Sequence, residues 1–183
     1  MRRFSDKANA RLVFRQGSKN ASYLLHLYGI FQEYVLTPPK VSKVTDKNTG
    51  DLRYNLSFST LALPCFNDLY EFFYTTGTGK KIIPKNIEDL LTPVSLAYWI
   101  MDDGSFTGSG LKLHTNAFLI EELNLLVEAM EKNFGLIVTI QVSNREKLQN
   151  TLYISKKQMP LLTELVIKYM HPSMLYKLNI NCE

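Results

Sequence analysis

The chain has 183 residues, enough for one large domain or two small ones. Apolar residues make up 45% and charged residues 21%, a balance typical of a folded globular protein. A formal net charge of +4 permits nucleic acid as a partner without requiring it. Two cysteines are too few for a disulfide framework. No apolar run reaches the roughly 18 residues of a membrane-spanning helix.

Hydrophobic periodicity in the first half of the chain predicts alternating strands and helices. In the first strand Leu12 and Phe14 share one face, and Arg11 and Arg15 lie on the other. Ser18 is the expected N-cap of the helix that follows. The predicted elements are a strand at 10–16, a helix from Ser18 to about Tyr34, hairpin strands at 40–45 and 52–60 around a turn at 48–51, and a helix at about 63–75.

A loop rich in glycine and lysine, 77–81, separates this half from the rest of the chain. Its composition has some likeness to a phosphate-binding loop, but it lacks the full Walker spacing, so a solvated linker is the preferred interpretation. We therefore expect an N-terminal half-domain at 1–79, a linker at 80–91 and a C-terminal half-domain at 92–183.

The segment 92–104 is a short apolar helix candidate that ends on two acids and a glycine. Thr92 can cap this helix and Pro93 suits its first position. Acids are disfavoured at the negative end of a helix dipole, so a bound cation would explain Asp102 and Asp103, and Mg²⁺ prefers oxygen ligands of this kind. A core helix followed by an ordinary turn explains the same pattern, and the spacing alone does not separate the two interpretations.

The second half repeats the order of elements in the first. Gly135 is the expected end of its long amphipathic helix, and His171 with Pro172 is expected to stop the last one. Because the leading helix at 92–104 has no counterpart in the first half, the pattern indicates an internal duplication with one piece missing. The elements predicted after that helix are a turn at 108–110, a strand at 111–116, a helix at 121–134, hairpin strands at 136–143 and 150–155, and a helix at 158–170.

Each predicted strand keeps one apolar face and one mixed polar face, as in a sheet covered by helices on one side. The polar face suits base edges and phosphates, although a solvated sheet face gives the same pattern, and basic loops in the chain favour nucleic acid. The expected nucleic-acid-binding residues are Arg11, Arg15, Lys40, Lys43, Asn55, Ser57, Lys80, Lys112, His114, Asn116, Gln141 and Tyr153, and the outward face is completed by Ser59, Thr139, Ser143 and Thr151.

Residues 96–104 resemble a LAGLIDADG motif, and the agreement lies at Leu96, Ala97, Ile100, Asp103 and Gly104. Three further segments add to the likeness, which runs through essentially the whole chain: 36–39, 81–84 and 174–178. The sequence is similar to the monomeric, intron-encoded LAGLIDADG homing endonucleases of mitochondria.

The resemblance implies an α+β fold of two αββαββα half-domains, whose curved antiparallel sheets form a saddle over DNA. In such a fold each motif helix delivers one acid to a shared Mg²⁺ centre that hydrolyses a phosphodiester. The resemblance assigns Asp103 and Gly104 to the metal site and Asp103 to catalysis. It places Lys81 and Lys177 near the scissile phosphates, where they would polarise water or offset transition-state charge.

One departure from the resemblance concerns the first motif helix, which should precede Ser5. The residues from Met1 to Phe4 leave no room for that helix, so the first half-domain is expected to lack it. The partner acid of Asp103 and the helix that packs on 92–104 would then have to come from elsewhere.

Three functions follow from this departure. The first is a site-specific double-strand DNA endonuclease that uses Mg²⁺. Its missing helix would come from an upstream reading frame or from a second polypeptide that covers 92–104. The second is an inactive RNA-binding derivative, acting as an intron maturase or in an organellar ribonucleoprotein such as a ribosome. The third is a pair of chains joined through 96–104, which the second repeat would obstruct. We prefer the first, in a mitochondrion or else a plastid.

Overall fold

The computed structural model describes residues 1–5, 7–45, 50–75, 77–147 and 149–180. The chain forms two compact units, Met1–Gly79 and Lys80–Glu183. Each unit contains one antiparallel sheet together with helices, so the predicted α+β class is confirmed.

The first unit is a three-stranded antiparallel sheet with helices on its apolar face. Its elements are β1 (Val13–Gly17), α1 (Ala21–Phe31), β2 (Lys40–Thr45), β3 (Leu52–Ser59) and α2 (Asn67–Phe73). The strand order is β1-β3-β2. Phe14 of β1 stacks on Phe58 of β3 with ring centroids 4.7 Å apart, and Phe31 of α1 lies 5.1 Å from Phe14. The helix is therefore held to the sheet by aromatic contacts.

The second unit is a four-stranded antiparallel sheet with a larger apolar core. Its elements are α3 (Ile87–Leu90), α4 (Pro93–Asp103), β4 (Gly104–Phe106), β5 (Gly110–Leu113), α5 (Ile120–Phe134), β6 (Val138–Asn144), β7 (Gln149–Ser155), α6 (Met159–Val166) and a 3-10 helix at Pro172–Leu178. The strand order is β4-β5-β7-β6. Leu111, Leu113, Leu152 and Ile154 of the two central strands are fully buried. Burial of each such side chain is worth roughly 1.5–3 kcal/mol.

The two units repeat one plan of strand, helix, hairpin and helix. The order β1-β3-β2 in the first unit matches β5-β7-β6 in the second. The second unit adds β4, which pairs with β5 from Gly104 to Phe106. In the first unit, the backbones of Arg2 and Arg11 form a single antiparallel bridge just before β1. The internal duplication inferred from the sequence is thus visible in the topology.

Most of the predicted elements are confirmed, and the differences lie at their ends. Gly135 ends α5 in the left-handed conformation at φ 66°, as its position predicts. The first predicted strand begins at Val13 rather than residue 10, and β5 ends at Leu113. The expected cap Ser18 is wrong: Gly17 is the N-cap of the 3-10 turn Ser18–Asn20, from which α1 continues. In the predicted turn at 48–51, Asn48 and Thr49 lie outside the described residues.

Three short elements are not predicted by the sequence analysis. Strand β4 has three residues, too few to show a period of two. Helix α3 lies within 80–91, the segment expected to be a linker, and its Ile87 is buried. The helix expected at 158–170 ends earlier, with α6 at Val166 and a 3-10 turn at Tyr169. Pro172, which was expected to stop that helix, instead opens the 3-10 helix Pro172–Leu178, because proline is tolerated in a first helical turn.

Candidate functional site

The first turn of α4 is closed by the cap that the sequence predicts. The Thr92 side chain accepts a hydrogen bond from the Ser95 backbone N–H at 3.2 Å, and the Ser95 hydroxyl accepts one from the Thr92 N–H at 2.8 Å. Pro93 occupies the first helical position. Leu96 and Ile100 are fully buried and hold the helix in the core of the second unit. The start of α4 is therefore fixed by capping and its middle by apolar packing.

The last turn of α4 places Asp102 and Asp103 at the surface, where both are exposed. Gly104 ends the helix, and its N–H donates to the Ile100 carbonyl. A Cβ at Gly104 would lie 2.5 Å from that oxygen, so the close approach requires glycine. The Asp103 carbonyl accepts a hydrogen bond of 3.0 Å from the His114 N–H. The backbone of Asp103 is thus joined to the sheet while its carboxylate faces solvent.

Lys177 lies beneath the same helix end and is only 6% exposed. Its Nζ donates to the carbonyls of Ile100 at 3.2 Å and Asp102 at 3.3 Å, and to that of Met101 between them. Burial lowers the pKa of Lys177 below its ordinary value, and the nearby charges of Asp102 and Asp103 oppose that shift. The lysine that the resemblance places near the scissile phosphates is therefore directed at the backbone of α4.

Lys81, which the resemblance places near the scissile phosphates, is adjacent to Lys80 of the predicted nucleic-acid-binding set. Lys80 and Lys81 are exposed at the start of the second unit, before α3. Both residues are exposed, whereas Lys177 is buried.

The polar face of the first unit's sheet carries a row of three side chains across the strands. Arg15 is opposite Ser57, and Ser57 is opposite Lys40. A cavity of about 390 Å³ on this sheet is lined by Arg11, Lys40 and Ser57, among other residues. Lys43 pairs with Tyr54 on the opposite face of the sheet, and its Nζ lies 5.9 Å from that ring. Alternation therefore brings together all of the predicted set on these strands except Lys43.

Asn55 continues this polar face, and the next residue in the same alternation is Arg53. Arg53 was not among the predicted residues, although a period of two from Asn55 and Ser57 leads to it.

The polar face of the second unit's sheet has a corresponding row. Ser105, Lys112, Tyr153 and Thr139 lie opposite one another across β4, β5, β7 and β6. The Tyr153 hydroxyl donates to the Ser109 carbonyl at 2.7 Å, which fixes the ring. The sequence analysis missed Ser105 because it did not predict β4.

Four further residues of the predicted set extend this face beyond that row. His114 Nε2 lies 3.0 Å from the Ser105 hydroxyl, and Asn116 accepts a 3.0 Å hydrogen bond from Ser143. Gln141 is paired with Thr151. Thr151 lies on the predicted face by strand register, two residues from Tyr153, but it is only 2% exposed and its hydroxyl donates to the Gln141 carbonyl.

The described residues include neither a metal-ligand cluster nor a membrane-spanning helix. Among them, no group of three or more His, Cys, Asp or Glu side chains is placed to hold a metal ion. Within the same residues, every helix is too short or too polar to span a membrane. Any divalent ion at α4 would take its protein ligands from the helix end and the rest from water or a bound partner.

The chain repeats an α+β unit whose sheet carries basic and amide side chains on one face. One of its helices ends in two acids. Together these features define a fold of the homing endonuclease type. A family model described as the LAGLIDADG DNA endonuclease family matches residues 1–162. The chain belongs to this family, and the resemblance seen in the motif at 96–104 is confirmed.

Individual relatives include both endonucleases and maturases. The chain is 37% identical over 174 residues to the cytochrome b mRNA maturase bI2 of Saccharomyces cerevisiae, covering 92% of this chain and 41% of that protein. It is 41% identical over 125 residues to the intron-encoded endonuclease ai4 of Dictyostelium discoideum, covering 67% of this chain and 76% of that protein. The chain thus spans less than half the length of the yeast maturase.

A solved structure shares the fold along nearly the whole chain. The homing endonuclease I-WcaI bound to its DNA recognition sequence has a TM-score of 0.84 and 31% identity, covering 96% of this chain and 79% of that one. The descent of this chain from LAGLIDADG endonucleases is therefore shown by sequence and by fold.

Proposed function

We propose that this protein binds a specific double-stranded DNA site through its two polar sheet faces and contributes Asp103 to metal-dependent phosphodiester hydrolysis. The observation that carries the proposal is the end of α4, where an exposed carboxylate stands on a helix that is capped, buried and hydrogen-bonded to the sheet. A carboxylate held in this way is preorganised to bind a cation.

Binding to DNA is supported by the chemistry of the sheet faces. Arg15, Ser57 and Lys40 form one cross-strand row, and Lys112 and Tyr153 lie in the other. Arg and Lys bind phosphates and guanine edges, while hydroxyl and amide groups bind either bases or backbone. The homing endonuclease I-WcaI, which shares this fold, is bound to its DNA recognition sequence, in agreement with this use of the fold.

A divalent metal, Mg²⁺ among others, would be held by the Asp103 carboxylate with Gly104 beside it. The donor chemistry fits, because both residues offer oxygen and Mg²⁺ takes one or two carboxylates and keeps several waters. When bound, such a metal activates water and stabilises the leaving oxygen. The exposed ammonium of Lys81 is available to offset negative charge on the phosphate.

A second carboxylate would complete this centre, since the family resemblance assigns one acid to each of two motif helices. Within the described residues, the LAGLIDADG-like pattern occurs once, in α4. We therefore propose that another polypeptide segment, covering α4, supplies the other acid.

A second candidate function is RNA binding as an intron maturase. The observation that favours it is the 37% identity to a protein described as a cytochrome b mRNA maturase. The same relative supports a mitochondrial location, where we place the protein under either function.

The experiment that tests the endonuclease proposal compares Asp103→Asn with Asp102→Asn. The purified chain is incubated with Mg²⁺ and a randomised plasmid library, with and without its native co-purifying partner, and cut ends are captured by adaptor ligation. We expect Asp103→Asn to reduce cutting by at least about 100-fold, because it removes the charged ligand, while DNA affinity stays within about twofold. Asp102→Asn serves as the matched control, since the neighbouring carboxylate is removed in the same way.

Two results would overturn the proposal. Full cutting by Asp103→Asn would remove this carboxylate from the chemistry. Failure of the unsubstituted chain to cut under any condition, together with selective binding of its host intron RNA over DNA, would establish the maturase function instead.

A further inference from the structure

The most unusual polar group in the second unit is the buried ammonium of Lys177. It sits at the C-terminal end of α4, where three successive backbone carbonyls, from Ile100 to Asp102, accept its hydrogen bonds. Lysine is among the residue types least often buried without a compensating partner. Its burial here calls for a function at this helix end.

We propose that Lys177 is a positioning residue that closes the C-terminal end of α4 and thereby fixes Asp103. The inference rests on the proposed role of Asp103 but assigns Lys177 a different task from direct contact with a phosphate. The lysine acts on the helix backbone, and the backbone presents the carboxylate.

Donor count supports this assignment. A lysine ammonium has three N–H donors, and α4 offers three carbonyl acceptors within hydrogen-bonding distance. All three donors are therefore used inside the protein. A phosphate oxygen could be bound only by giving up one of these bonds and uncovering a side chain that is 6% exposed.

The segment that carries Lys177 is itself clamped to α4. The His171 N–H donates to the Met101 sulfur at 3.1 Å, one residue before the 3-10 helix Pro172–Leu178 begins. Met174 and Leu178 are buried on either side of the lysine. The lysine stem is thus rigidly placed, so that its ammonium meets α4 in one geometry.

The electrostatics at the C-terminal end of α4 also favour a cation at the position of Lys177. The last turn of α4 combines the negative end of the helix dipole with the charges of Asp102 and Asp103. A cation hydrogen-bonded to the last carbonyls offsets this repulsion. Without it, the last turn would loosen and the carboxylate of Asp103 would lose its fixed position.

The test is amide hydrogen exchange in the full chain with Lys177→Met, which keeps an unbranched apolar stem and removes the ammonium donors. We expect exchange at the Gly104 and His114 amides, which donate to Ile100 and Asp103, to accelerate at least about tenfold. The Gly135 amide, at the end of α5, should change by less than about twofold. Lys168→Met, at an exposed lysine of the same unit, is the matched control and should leave all three amides unchanged. Unaltered exchange at Gly104 and His114 in Lys177→Met would overturn the proposal.

A second measurement keeps the proposal falsifiable if Lys177→Met fails to fold. In the unsubstituted chain, the Lys177 ammonium should give a slowly exchanging ¹⁵N-coupled NMR signal with couplings to the Ile100, Met101 and Asp102 carbonyls. A Lys177 ammonium that exchanges as fast as that of Lys168 would contradict the inference.

The salt dependence of DNA binding separates this inference from the proposed function. With a short duplex of mixed sequence as the probe, loss of one phosphate contact lowers the slope of log K against log salt by about 0.9. We expect the slope of Lys177→Met to equal that of the unsubstituted chain and the slope of Arg15→Ala to fall. A lower slope for Lys177→Met would show that Lys177 contacts a phosphate directly and would overturn this inference. An unchanged slope for Arg15→Ala would count against the proposed DNA interface alone.

Discussion

At the scale of single residues, Gly104 shows how tightly the end of α4 is built. An added Cβ would lie 2.5 Å from the Ile100 carbonyl oxygen and 3.0 Å from the Ile100 side chain. We expect Gly104→Ala to destabilise the chain by about 1–3 kcal/mol in urea unfolding, because backbone and buried side chain must both shift. Gly29→Ala in α1 is the control: its Cβ would meet no described atom within 4 Å, so a neutral or slightly stabilising effect is expected. Equal effects of the two changes would refute the steric explanation.

The residues of the candidate site were predictable to different degrees. Asp103 follows from the motif and its place at the end of a capped helix, a local pattern. The orientation of Lys177 depends on a contact with α4 across 76 positions of sequence, which no local pattern contains. Lys40 and Lys43 both belong to one short strand, yet alternation puts them on opposite faces. Both were placed in the expected nucleic-acid-binding set because the strand period was not applied to them.

At the scale of elements, the two expected helix caps differ in outcome. Thr92 and Ser95 form a reciprocal capping box at α4, whereas Ser18 lies inside the 3-10 turn that precedes α1. We expect Thr92→Ala to lower the free energy of unfolding by about 1 kcal/mol, since one helix N–H loses its acceptor. Ser18→Ala should change it by less than about 0.5 kcal/mol. Urea denaturation of both variants measures the two changes in the free energy of unfolding. Equal decreases would show that the Thr92 cap does not stabilise the chain more than Ser18 does.

Elements with several turns or a clear alternation were found from the sequence, and short ones were not. The long helix α5 combines an apolar stripe with a glycine end, so both its type and its end were predictable. Strand β4 and helix α3 have three and four residues, and each is stabilised by tertiary pairing rather than by its own pattern. The 3-10 helix Pro172–Leu178 was overlooked because proline was interpreted only as a stop.

At the scale of the whole molecule, the net charge of +4 is small, so the location of charge must decide binding. Arg15→Ala and Lys43→Ala each remove one positive charge, from opposite faces of the same sheet. We expect Arg15→Ala to weaken DNA binding and lower the salt slope by about 0.9, and Lys43→Ala to leave the slope nearly unchanged. Titration of a fluorescent duplex at several salt concentrations makes the comparison. If both variants lower the slope equally, binding responds to total charge and not to the polar face.

The bond between Lys177 and α4 has a consequence for the timing of synthesis. Residues 93–103 leave the ribosome long before residue 177, and at about 5–20 residues per second the delay is roughly 4–15 s. During that interval the carbonyls from Ile100 to Asp102 have only water as a substitute for the lysine. The motif helix can form early, but its acidic end becomes ordered only when nearly all of the second unit has been made. A nascent chain therefore orders the acidic end of α4 late, after the strands of both sheets have been synthesised.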